Sequence, residues 1–221
     1  MLVFFILWLP IFFGFWKEIR PKPVCSDARA AFLENICAIA TGTAYAVVRF
    51  VQADFVQAGG FGLSRYLSAC VDYAALPVVL PLVVCAAFHR IQKQFFHRGW
   101  TPDWTGFILL SLTPVALVCA VRWGSEKNPL LLVLTPLLWT ALAVAVHPLL
   151  RFIAKGPSTP RLVVGVAGIV PLPFLASAAW WQFFIQRNLV ALGLLAVLVV
   201  PAVLVVCSLL RQRRNCVPYQ S

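Results

Sequence analysis

The chain has 221 residues, a hydrophobic fraction of 62%, a charged fraction of 11% and a formal net charge of +11. Soluble domains carry roughly 25% charged residues, and a water-soluble core has no place for this much apolar surface. The basic excess lies in short segments beside apolar runs, so it points to membrane orientation and anionic lipid, not to nucleic acid.

Seven apolar stretches occupy the chain, near 1–16, 30–48, 67–88, 105–121, 130–150, 162–181 and 189–210. Most approach the roughly 20 residues needed to cross a ~30 Å hydrocarbon core. The expected fold class is all-α: a polytopic transmembrane helix bundle, 1–221 as one integral membrane domain. Segments 17–29, 89–104, 151–161 and 211–221 hold 13 of the 18 Lys and Arg residues, and 49–66, 122–129 and 182–188 hold five. That alternation is the positive-inside signature, with the C-terminus cytoplasmic and the N-terminus outside, as in an inner (cell) membrane protein. A six-span alternative treats 17–66 as one loop and leaves nine basic residues on each side. The asymmetry therefore favours seven spans. Trp16, Trp100, Trp104, Trp123, Trp180 and Trp181 fall at predicted span ends, where indole prefers the headgroup region.

The first stretch starts with Leu2, Val3, Phe4 and Phe5 and ends at Trp16, before Lys17 and Glu18. Lacking a basic n-region and a nearby small-residue cleavage site, it reads as a retained span. In the second stretch Glu34, Ala38, Thr41, Tyr45, Arg49 and Gln52 recur at helical spacing and form a polar stripe. Charges facing lipid are costly, so the stripe is expected to face the bundle, with Ile36, Ile39 and Thr43 on the opposite side. The third span carries Ser64, Ser68 and Asp72 at four-residue intervals, after the flexible connection Ala58 to Gly62. Asp72 reads either as an ion or proton ligand or as the structural partner of Arg49 or Arg65.

The segment from His89 to Arg98 is basic and aromatic, and Arg90, Lys93 and Arg98 are candidate contacts for anionic lipid on the cytoplasmic side. Pro77, Pro81, Pro114, Pro136, Pro171, Pro173 and Pro201 put an interior proline in each of spans three to seven. Each frees a carbonyl and can kink its helix, which suits a cavity lined by broken helices or simply the ordinary proline content of membrane helices. In the fifth span His147 shares a face with Thr140 and Pro136, at a depth similar to Glu34. A Glu34–His147 proton relay is one reading, and two groups satisfied at the interface the other. Gly165, Gly168, Ala176 and Ala179 form a small-residue packing face on the sixth span.

Seven dispersed cysteines include no C-x-x-C, so neither a zinc site nor a redox pair is expected, and all read as small packing residues. G-x-S-x-G, H-E-x-x-H and P-loop patterns are missing from the sequence. No catalytic, metal or cofactor-binding residue is assigned, and an enzyme is not expected. The leading functional expectation is a small-solute transporter or permease subunit, its polar path formed by Glu34, Thr41, Tyr45, Arg49, Ser68, Asp72, Thr140 and His147 along spans two, three and five. Its energy would come from an ion gradient or a separate ATPase subunit. The second is a structural or assembly subunit beside another membrane protein. The third is an intramembrane enzyme acting on lipid.

Overall fold

A computed structural model describes residues 2–20, 28–52, 67, 70–71, 75–95, 103–123, 131–154, 158–184 and 188–215. Among these there are eight helices and no strand: α1 (Leu2–Ile19), α2 (Ala28–Gln52), α3 (Leu76–Phe95), α4 (Trp104–Trp123), α5 (Leu131–Ala154), α6 (Thr159–Ile169), α7 (Pro171–Phe184) and α8 (Asn188–Asn215). The fold is an all-α bundle, as the apolar runs require, because a helix satisfies its own backbone groups where no water can.

Several helices overrun the apolar stretches that announce them. α3 continues through His89 and Gln92 to Phe95, past the expected end at 88, and α8 continues through Arg211 to Asn215, past 210. Apolar runs mark where a helix is buried in hydrocarbon. Helical hydrogen bonding goes on into the interfacial zone, where charged side chains are solvated. Of the stretch expected from 67, the described residues 67, 70, 71 and 75 are already helical, and α3 follows directly from Leu76. α6 and α7 together form the sixth stretch, broken beside Val170. The Val170 N–H still bonds the Val166 carbonyl at 2.9 Å. Pro171 and Pro173 then have no N–H to offer the carbonyls of residues 167 and 169, and the helix breaks there.

α4 and α5 form the centre. α1, α2 and α3 pack around α4, while α6, α7 and α8 pack around α5, and α1 touches both central helices. Of its 21-residue apolar window α5 buries 67%, against 22% for the window of α8, which identifies α5 as an interior helix. The core joins Leu9 and Trp16 of α1, Ile108, Leu109 and Leu112 of α4, Leu142 and Val144 of α5 and Leu198 of α8. Three glycines allow close approach. A Cβ on Gly42 would overlap the Ser111 carbonyl, so α2 and α4 meet there backbone to backbone. On α6, Gly165 faces Ile153 and Gly168 faces Leu149, ordinary small-residue packing against α5.

Among the described residues, four segments are long and apolar enough to cross a membrane: Ala28–Val48, Val133–Ile153, Thr159–Ala179 and Leu189–Gln212. Leu76–Gln92 and Trp104–Cys119 are shorter apolar helices. Outward faces carry Phe32, Ile36, Ile39, Leu162, Val163, Val200 and Leu204. So much exposed aliphatic surface suits hydrocarbon and not water.

Candidate functional site

Asp103 is the last residue before α4 and caps it. Its carbonyl accepts the Phe107 N–H at 2.8 Å and its Oδ1 accepts the Gly106 N–H at 3.0 Å. An aspartate is favoured here because it satisfies a first-turn donor and its charge complements the positive end of the helix dipole. Gly106 leaves the carboxylate room, since a Cβ at that position would overlap it.

The C-terminal turn of α1 delivers three donors to this one carboxylate. Trp16 and Arg20 are one turn apart on the same face, with Lys17 beside them. Trp16 Nε1 donates to Asp103 Oδ1 at 3.0 Å, while Arg20 and Lys17 reach Oδ2 at 2.6 Å and 3.3 Å. The Asp103 side chain is 3% exposed, and those of Lys17 and Arg20 are 28% and 19% exposed. A buried carboxylate is tolerable when its hydrogen bonds and counter-charges are supplied, as they are here. α2 adds Glu34, buried at 3% exposure, whose Oε1 accepts the Asp103 backbone N–H at 2.9 Å. α5 adds His147, whose ring stands edge-on to Trp16 at 4.8 Å between centroids. Its Nδ1 shares a 3.0 Å hydrogen bond with the Thr105 hydroxyl, and Nε2 is buried without a hydrogen-bond partner among the described residues.

α1 and α5 lie alongside each other in register. Two turns above Trp16, Trp8 Nε1 donates to Thr140 Oγ1 at 2.9 Å, and that hydroxyl donates to the Pro136 carbonyl at 2.7 Å. Thr140 and His147 are both turned to α1, each meeting an indole.

Of the expected polar path, the structure brings Glu34 and His147 into one cluster through Asp103, Trp16 and Thr105. Thr140 lies further along the same seam. On α2, Glu34, Ala38 and Tyr45 are buried while Ile36, Ile39 and Thr43 are exposed, so the stripe turns inward. Thr41 bonds back to the Cys37 carbonyl at 2.7 Å and Thr43 to the Ile39 carbonyl at 2.8 Å. Beside the stripe lies a cavity of about 10 Å³ bordered by Thr41, Tyr45, Pro77, Pro81 and Ser111. Its surface is apolar, and its size is at the lower limit for one water. Ser68, Asp72 and Arg98 lie outside the described residues, as do the side chains of Arg49 and Lys93. Arg90 is exposed on α3.

A hydroxyl against an imidazole is the pairing of a nucleophile with its base. Thr105, however, is fully buried. Among the described residues no group of three or more His, Cys, Asp or Glu is placed to hold a metal ion. Sequence reasoning missed the centre of the cluster. Asp103 directly before an apolar run is an N-cap signal, but nothing local ties it to Lys17 and Arg20, 83 or more residues earlier in the chain. Compared with known proteins, the chain matches no family model, no curated protein and no solved structure.

Proposed function

We propose that the protein is a multi-pass protein of the cell (inner) membrane that acts as a structural or assembly subunit beside another membrane protein. The Asp103 end faces the cytoplasm, as the basic asymmetry favours. Arg90, with Lys93 and Arg98, contacts anionic headgroups there. The observation that carries the structural reading is the closure of the α2 stripe. Glu34 is held by the Asp103 backbone and Thr41 by its own helix. A solute path needs polar groups open to water. These are engaged within the protein, which weighs against the transporter expectation.

Thiol accessibility tests this. In a variant lacking the native cysteines, Thr41→Cys and Tyr45→Cys should stay unmodified by a small water-soluble thiol reagent while the protein remains folded. Rapid modification at both would restore the solute path and remove the structural reading.

A further inference from the structure

α2 and α3 pack antiparallel, and one hydrogen bond and one shared cavity indicate their register. Gln92 Nε2 donates to the Ala30 carbonyl at 3.4 Å. Thr41 and Tyr45 of α2 border the small cavity together with Pro77 and Pro81 of α3. Each step forward along α2 is thus matched by an equal step back along α3. Continuing that register places Cys37 opposite Cys85. Both thiols belong to the small cluster of Ala38, Cys85 and Phe107, against which Cys37 packs. Both are free, Cys85 buried and Cys37 half-buried. They lie one turn or so deeper in the bundle than Glu34.

We propose that Cys37 and Cys85 form a two-coordinate site for a soft monovalent cation of the copper(I) class. Thiolates select such ions over hard cations. The two thiols meet in one packed cluster on neighbouring helices, the placement a thiolate–metal–thiolate bridge needs. Two ligands suffice for this geometry, so no third residue is required. On binding, two S–H bonds break, two metal–sulfur bonds form, and both protons leave to solvent. No oxidation is involved. Half-buried Cys37 takes the ion first and Cys85 completes the site from inside. The inference stands apart from the structural role above, since either holds without the other.

Full-length protein in detergent, kept free of oxygen, is incubated with copper(I) supplied as its acetonitrile complex and freed of excess by a copper(I) chelator. It is then alkylated and mapped by peptide mass spectrometry. One copper per chain should remain. Alkylation of Cys37 should be suppressed, because a metal-bound thiolate is no longer free to attack the reagent, while exposed Cys207 reacts as before. In Cys85→Ala the protection of Cys37 should disappear. Should that variant not fold, wild-type retention and Cys37 protection decide alone. No retained copper, copper retained without protection of Cys37, or protection unaffected by Cys85→Ala would each reduce the pair to packing residues and overturn the site.

Discussion

Asp103 is where the chain concentrates its interior charge. Its carboxylate meets Trp16, Lys17, Arg20 and the Gly106 amide at once. Asp103→Asn keeps the shape and the capping ability, because asparagine caps as well as aspartate. The substitution therefore isolates the ionic part. Breaking a buried pair costs about 3–5 kcal/mol, and the partial exposure of Lys17 and Arg20 should bring the loss to about 2 kcal/mol. A lowered thermal midpoint in detergent, with a shift in Trp16 emission, is the expected result. Arg20→Gln combined with Asp103→Asn should cost less than the two separate losses added together. Strict additivity would mean the pair does not hold α1. Thr140→Val is a milder change: it removes the bond from the Trp8 indole to Thr140 and should cost about 0.6–1 kcal/mol, typical of a hydrogen bond between membrane helices. Chemical unfolding of Thr140→Val beside Trp8→Phe would show the shared bond as non-additivity.

Among the elements, the contact of α2 with α4 is the tightest, and glycine is the reason. Gly42→Ala drives a methyl group into the Ser111 backbone carbonyl, which cannot turn aside as a side chain would. The helices must separate, and a loss of about 1–3 kcal/mol is expected from overpacking. Gly193→Ala on α8 meets nothing within 4 Å. There the gain in helix propensity, up to about 1 kcal/mol, should leave stability unchanged or raised. Parallel thermal melts of the two variants make the comparison, and similar behaviour would remove the close crossing. The inward face of α2 was legible because helical spacing alone groups Glu34, Ala38 and Tyr45 against Ile36 and Ile39. The polar extensions of α3 and α8 were not legible, since an apolar window ends where hydrocarbon ends and the helix does not. The meeting of Trp16, Glu34, Asp103 and His147 was out of reach for another reason. Each is a local feature of a helix end, and only the packing of four elements makes them one cluster. The opposition of Cys37 and Cys85 likewise appears only once the α2–α3 register is known.

Across the whole molecule, the cluster ties helix ends that the charge pattern assigns to one side of the membrane. The end of α1, the starts of α2 and α4 and the end of α5 all converge on Asp103. α2 and α4 begin at the same end, so the chain leaving α2 must return before α4 starts. The connection after α2 should therefore lie opposite to Asp103, and this bears directly on the six-span alternative, in which residues 17–66 stay on one side. Arg211 lies in the last turns of α8, with Arg213 and Arg214 following it in the chain, the kind of basic group retained in the cytoplasm. A reporter fused after Ser221 should accordingly show cytoplasmic activity, and one inserted near Gly60 extracytoplasmic activity. Cytoplasmic readings at both positions would mean that α2 does not cross. Glu34 and Asp103 would then meet on a helix lying at the surface, where water could reach both, and their burial in a sealed membrane bundle would fail with the topology.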